Sequence, residues 1–251
     1  MRLPDFIIGG AARSGTTWLY HAMDAHPGIA LAKPVKPEPK FFIDEDRYGQ
    51  GLGYYSRSWF ADLPEGLVTG EKSTNYLESP QAAARIADAL PEVRMIFVLR
   101  DPVDRAYSNW RWSVQNGRET ENFTEALALE AERDAAASAA GDRVRAHAYF
   151  SRGLYADLLA PFFARLPRER ILVLRYEDIA ENPGAVAATA HGFVGARPMP
   201  EVARDLGRIN EGAVAREERV LAAARPALTA RYAEPNRRLS ALLGPDFRIW
   251  T

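Results

Sequence analysis

The chain contains no cysteine among its 251 residues. That excludes disulfides, thiolate nucleophiles and cysteine-bound metals. It has no excess of charge of one sign: 32 Lys and Arg stand against 33 Asp and Glu, a formal net charge of −1. Bulk attraction to nucleic acid or to an anionic lipid surface is therefore not expected. A long apolar run is also missing, and Asp5 interrupts the N-terminal stretch at once, so neither a signal peptide nor stable membrane insertion is expected. A cytoplasmic protein fits this reading. Histidine is scarce: His147 and His191 match no metal-ligand spacing, and packing or capping accounts for His21 and His26, on and just after the first predicted helix. No metal site is expected, and neither repeats nor a long linker are visible.

What is present is an alternation of short apolar runs with helical segments. The spacing predicts strands at Phe6–Gly9, Ile29–Leu31, Val68–Glu71, Met95–Leu99 and Ile171–Leu174. "MIFVL" and "ILVL" are apolar at successive positions, as strands buried on both faces should be. Between them, Ser79 and Pro80 open one helix that ends before Pro91, and Asp101 and Pro102 open another that ends at Gly117. Strand–helix alternation of this kind implies a parallel sheet flanked by helices, a single α/β domain over residues 1–251. The stretch after Asn122 begins as a helix, with Glu125 three residues on in a capping-box arrangement. It then thins into Ala, Ser and Gly; an exposed helix with a frayed end accounts for it, as does a cover over an active site within 119–147.

The stretch "FIIGGAARSGTTWLYHAMDAHP" resembles an ATP-binding loop and departs from it at one position. Gly10 and Gly15 have the spacing of G-x-x-x-x-G-K-[ST], but Thr16 stands where the lysine should be. A strand, a glycine-bearing loop and a helix starting near Thr16 still make an anion site, because the helix N-terminus presents unpaired N–H groups. Arg13, Ser14, Gly15, Thr16 and Thr17 in series favour binding over a turn needed only for packing. Without the lysine that reaches β- and γ-phosphates, the expected ligand is a nucleotide with a short anionic 5′ group. Further on, Arg100 lies at the end of a buried strand, where ligands bind in open α/β sheets. Ser108 follows about two turns into the next helix. An arginine and a hydroxyl can grip a second phosphate, although an ion pair of Arg100 with Asp101 or Asp104 also accounts for the arginine.

Together, "GGAARSGTTWLYHAMDAHP", "EPKFF", "GEKSTNY", "VLRDPVDRAYSNW" and "EPNRRLSALLG" resemble the sulfotransferases that use 3′-phosphoadenosine 5′-phosphosulfate (PAPS). The likeness is to the branch with heparan sulfate O-sulfotransferases and their bacterial relatives, and it runs in order from Asp5 to Trp250. It implies a P-loop-like fold in which Arg13 to Trp18 hold the 5′-phosphosulfate and Arg100 and Ser108 hold the 3′-phosphate, with 3′-phosphoadenosine 5′-phosphate as product. It further implies that Arg216 reaches the 3′-phosphate from a C-terminal loop. Many relatives carry lysine at the position of Arg13; arginine cannot readily release a proton, so its catalytic part would be electrostatic. The extracellular carbohydrate enzymes of the family carry disulfides and this chain has none, which weakens the inference to a polysaccharide acceptor.

Sulfuryl transfer to a hydroxyl needs a group to take the acceptor's proton and charge to stabilise the leaving phosphate. On the residues alone, Glu38 between Pro37 and Pro39 is a loop carboxylate flanked by Lys36 and Lys40. The resemblance instead makes it the base, and places Lys72 near both donor and acceptor. Another branch of sulfotransferases uses a histidine base, which makes His147 a reserve candidate. Phe41, Phe42, Trp110 and Trp112 either line an acceptor cleft or pack in the core. The expected partner is a hydroxyl-bearing acceptor: small molecule, lipid, saccharide or carrier-bound intermediate. The competing readings are a P-loop kinase of a small molecule and a nucleotide-binding module without activity. The last would leave Glu38 and Lys72 away from the cleft.

Overall fold

A computed structural model describes residues 1–139, 146–203, 206 and 215–250, apart from the side chains of 137, 138 and 215–218. The five apolar runs form the five strands of one sheet: β1 (Phe6–Gly10), β2 (Ile29–Leu31), β3 (Val68–Lys72), β4 (Arg94–Leu99) and β5 (Ile171–Arg175). Four of them exceed or shift the expected bounds by one residue. The sheet order is β2-β3-β1-β4-β5, and every pairing is parallel. Phe6, Ile7 and Ile8 are all fully buried, as a central strand covered on both faces requires.

The helices among the described residues are α1 (Thr16–Asp24), α2 (Glu45–Gly49), α3 (Gly51–Trp59), α4 (Pro80–Ala89), α5 (Pro102–Gln115) and α6 (Phe123–Ala128). They continue with α7 (Glu130–Ala139), α8 (Tyr155–Phe163), α9 (Tyr176–Glu181), α10 (Pro183–Phe193) and α11 (Ala215–Leu243). The expected caps are in place. The Ser79 side chain accepts from the Ala82 amide, Asp101 from Val103 and Asp104, and Asn122 from Glu125. Each satisfies N–H groups that a helix start leaves without an internal partner. No described helix is long and apolar enough to cross a membrane.

The chain divides into two compact units, Met1–Leu99 with Leu158–Asn210, and Arg100–Asp157 with Glu211–Thr251. In the first, the sheet packs against α1 and α10 through Ile8, Leu19, Met23, Ile96, Val186 and Ala190. His26 and His191 meet at a tilt beside this core, ring centroids 4.6 Å apart. In the second, Val103, Tyr107, Phe123, Tyr149, Leu228 and Tyr232 form the core. The stretch after Asn122 is two short helices, not one. Two buried carboxylates tie it down: Glu119 accepts from Arg133 and Tyr149, and Glu130 from the amides of Phe150 and Ser151. The remainder of that stretch, residues 140–145, lies outside the described residues.

Candidate active site

The loop after β1 turns sharply into α1 and presents unpaired donors there. Gly15 adopts φ 86° ahead of α1 and contributes no capping side chain. A Cβ there would sit 2.8 Å from the Tyr176 ring, so both the left-handed backbone and the close approach call for glycine. The first hydrogen bond inside α1 runs from the Leu19 amide to the Gly15 carbonyl, which leaves the amides of Thr16, Thr17 and Trp18 without a helical partner. Arg13 itself has φ 69°, an uncommon conformation for a non-glycine residue that turns the chain sharply before the helix. Ser14 is completely buried, and its Oγ has no hydrogen-bond partner. A buried hydroxyl left unsatisfied costs free energy; an anion seated on the neighbouring amides would accept its hydrogen bond. The loop therefore fits the 5′ group that the sequence suggests. The Trp18 indole is buried in the core with Leu19 and Met23.

Lys72 ends β3, directly beside β1 in the register that pairs it with Ile8. The Ser73 amide extends this pairing by donating to the Ile8 carbonyl. Glu38 comes to the same place from 34 residues away, and its carboxylate forms an ion pair with the Lys72 ammonium. The pair is nearly enclosed, with side-chain exposures of 2% for Lys72 and 11% for Glu38. The Thr74 amide donates to Glu38 Oε2 at 3.1 Å, and the Thr74 hydroxyl lies 3.2 Å from both carboxylate oxygens. Glu38 is thus held by Lys72 and Thr74 and is not a solvated charge between Lys36 and Lys40. The Thr74 segment also packs on the loop, since a Cβ at Gly10 would lie 3.1 Å from the Thr74 carbonyl oxygen and 2.7 Å from Leu77 Cβ. Carboxylate, ammonium and anion loop belong to one edge of the first unit.

Behind them lies a residue that the sequence reading passed over. Glu71 is fully buried. The hydroxyls of Tyr55 and Tyr76 donate to its Oε1 at 2.8 and 2.9 Å, and the Ser73 hydroxyl donates to Oε2 at 2.6 Å. Burial pushes its carboxyl up to about 7, against the opposing pull of these three hydrogen bonds. Burial and the neighbouring Glu71 charge also raise both tyrosines well above their ordinary value, which keeps them as donors. Phe41 and Phe42 pack here and are fully buried. Phe41 stacks on Tyr55 with centroids 4.4 Å apart, and Phe42 meets Tyr76 edge-on, so both are core residues. The visible signal was a carboxylate inside a strand; its partners Tyr55 and Tyr76 carry no recognisable spacing.

The other proposed residues lie in the second unit. Arg100 opens it, next to the last residue of β4. Its carbonyl accepts from the Tyr155 hydroxyl at 2.9 Å. Asp101 caps α5 and also meets Arg225, so the chain from Arg100 into α5 is held. Ser108 is half-buried on α5. His147 is half-exposed, with Nε2 2.9 Å from the Arg118 carbonyl. Trp110 stacks on Tyr107 and donates to the Glu121 carbonyl, while Trp112 lies under Arg118. The side chain of Arg216 lies outside the described residues.

The sulfotransferase domain family matches residues 3–208. The chain belongs to the sulfotransferase family. It is 29% identical over 204 residues to human bifunctional heparan sulfate N-deacetylase/N-sulfotransferase 3, covering 78% of this chain and 23% of the relative. It is 29% identical over 194 residues to mouse heparan sulfate glucosamine 3-O-sulfotransferase 3A1, covering 77% of this chain and 46% of the relative. The chain thus spans less than half the length of these two sulfotransferases. A crystal structure of a sulfotransferase from Alicyclobacillus acidocaldarius superposes with a TM-score of 0.79 at 29% identity, over 98% of both chains. The fold is the P-loop-like parallel sheet flanked by helices that the sequence suggests.

Proposed function

We propose that this sulfotransferase transfers the sulfuryl group of PAPS to a hydroxyl of its acceptor, with Glu38 as the base. The observation that carries this reading is the enclosed Glu38–Lys72 pair beside the anion loop. PAPS supplies an activated sulfuryl group whose departure leaves a phosphate. In this reading the amides of Thr16, Thr17 and Trp18, with the Ser14 and Thr17 hydroxyls, bind the 5′ end, and Arg13 adds positive charge beside the leaving oxygen. Arg100 and Ser108 hold the 3′-phosphate, and Arg216 reaches it from the C-terminal part of the chain. Glu38 takes the proton from the acceptor hydroxyl as it attacks. In this reading Lys72, paired with Glu38, holds the base in position and donates toward charge developing on the donor.

The kinase reading is less well supported. Asp101, the acidic residue after β4, points its carboxylate oxygens at the amides of Val103 and Asp104 and at Arg225. It is engaged as a helix cap, not as the metal-holding carboxylate such an enzyme places there. A binding module without activity would have no use for an enclosed acid–base pair beside the loop. Incubating the protein with PAPS and a cell extract, then searching the small molecules for a mass gain of one sulfuryl group, tests the activity and identifies the acceptor. No such gain with any extract, from protein that binds the nucleotide, would leave binding alone.

A further inference from the structure

The Glu38 carboxylate has two kinds of support. Lys72 and Thr74 touch it directly. The chain that carries it is also tethered two residues on, where the Lys40 amide donates to Ser73 Oγ at 2.9 Å. Lys40 adopts φ 51°, an uncommon conformation for a side chain with a Cβ, so it persists only where its surroundings hold it. The Lys40 carbonyl then accepts from the amides of Ile43 and Asp44, which closes the turn into Phe41 and Phe42. Ser73 can accept from Lys40 in this way because its own hydrogen points to Glu71 Oε2.

We propose that Glu71 is a positioning residue for the reaction: through the Ser73 hydroxyl it fixes the Lys40 turn, and thereby the place of Glu38 against Lys72. This rests on the reading of Glu38 as the base. The argument is one of hydrogen-bond directions. Three hydroxyls, of Tyr55, Tyr76 and Ser73, converge on the two oxygens of Glu71, and an ionised carboxylate can accept from all of them. A hydroxyl that donates to a carboxylate becomes a better acceptor in turn, so the Lys40 amide is held more firmly. When Glu71 takes up a proton, or is replaced by glutamine, one oxygen becomes a donor and one converging hydroxyl must turn away. Tyr55 and Tyr76 share Oε1, so the new donor faces Ser73, whose hydrogen must turn away. The Ser73 oxygen still accepts from Lys40 but loses the strengthening that donation to a carboxylate gave it, and the tether loosens.

The groups that face Glu71 are Tyr55 from α3, Tyr76 and Ser73 from the chain after β3, and the Glu38 charge from the tethered turn itself. The two tyrosines keep their protons, so Glu71 is the group in this cluster that changes charge near neutral pH. Its carboxyl is raised to about 7. The ionised, tethering form therefore prevails above that pH, and turnover should rise with pH through the same range.

The test uses the intact protein with Glu71→Gln, Ser73→Ala and the double variant. Amide hydrogen exchange over residues 38–44 reads the tether whether or not Glu38 is the base. Exchange should accelerate in both single variants, and the double variant should add little, because both act through one chain of bonds. Where turnover can be measured, Glu71→Gln should lower kcat by roughly 10–100-fold, the scale of a small misplacement of a catalytic group, with KM for PAPS little changed. The rise of kcat near pH 7 should vanish with it. A thermal melt at each pH separates loosening of the turn from loss of the fold, and Tyr55→Phe, which removes a donor but leaves the Ser73 link, should keep the exchange slow. Unchanged exchange at 38–44 in Glu71→Gln, or fully additive effects of the two variants, would overturn the proposal. Altered exchange with near-normal turnover in Glu38→Gln would instead keep the tether and remove Glu38 from the chemistry.

Discussion

Lys72 and Glu38, 34 residues apart in the chain, meet as an ion pair from which water is almost excluded. Removing one partner of such a pair leaves the other charge without compensation, at a cost of about 3–5 kcal/mol, whereas neutralising both is often close to neutral. Lys72→Met is therefore expected to lower the unfolding free energy clearly, and Lys72→Met with Glu38→Gln to recover much of the loss. Turnover should not recover with it. A double variant that regains both stability and activity would mean that the pair serves the fold alone.

Glu38→Gln keeps the size of the side chain and its bond to Thr74 but cannot take a proton. Turnover should fall by roughly 10²–10⁴-fold, the range for loss of a general base. Binding of 3′-phosphoadenosine 5′-phosphate should stay near the wild-type value, because no part of the anion loop changes. Calorimetric titration and single-turnover kinetics separate the two quantities. Near-normal turnover would move the role elsewhere, with His147 the next candidate.

The 3′-phosphate distinguishes PAPS from adenosine 5′-phosphosulfate. If Arg100 holds it, Arg100→Ala removes a charge-assisted hydrogen bond worth roughly 1.5–3 kcal/mol, and PAPS should bind about 10–150-fold more weakly. Adenosine 5′-phosphosulfate should hardly respond. Wild type and variant titrated against both donors give the answer in four curves. Equal losses for the two donors would assign Arg100 to the fold or to the 5′ end.

The stability of the first unit should also carry a histidine signature. Burial lowers the His191 pKa. Its Nδ1 accepts from the Met199 amide and its Nε2 lies 3.2 Å from the Ala22 carbonyl, so the neutral ring is the one that fits. The unfolded chain takes up a proton near the ordinary histidine value while the native ring does not. The contribution is therefore present above about pH 6.5 and is lost as pH falls below it. Glu71 acts oppositely: its raised carboxyl favours the native state at low pH, an advantage lost as pH rises through about 7. The two are separated by a difference curve. Melting temperature of wild type minus His191→Gln should decline from pH 7.5 to pH 5.5, and a flat difference would mean that His191 does not titrate differently in the two states.

The parts of this architecture that were legible in the sequence are those decided locally. Two-sided burial writes a strand as an unbroken apolar run, which is why Met95–Leu99 could be read directly. Ile171–Leu174 carries a similar run but lies in an edge strand, and its Leu172 and Val173 are only half-buried. Caps are short-range hydrogen bonds, so Ser79, Asp101 and Asn122 announced their helices. The glycine-bearing turn from β1 into α1 was legible because its spacing nearly matches a known one. The meeting of Glu38 with Lys72 was reached only through family resemblance, since no local rule brings a proline-flanked loop to the end of a strand. Glu71 escaped notice because its setting is made by Tyr55 and Tyr76, one from a separate helix and the other from a tight turn. Trp18 was grouped with the loop by its sequence neighbours, but the helical turn that presents its amide points its indole into the core.

The central claim is that the loop after β1 serves a phosphosulfate nucleotide and not a nucleoside triphosphate. A ligand that binds only the folded chain raises its melting temperature, and at equal concentration the tighter ligand raises it more. The decisive measurement is a melt with 3′-phosphoadenosine 5′-phosphate in the absence of Mg²⁺, set against a melt with ATP and Mg²⁺ at the same concentration. The account predicts a clear rise with the first and much less with the second. Greater stabilisation by ATP and Mg²⁺ would contradict it.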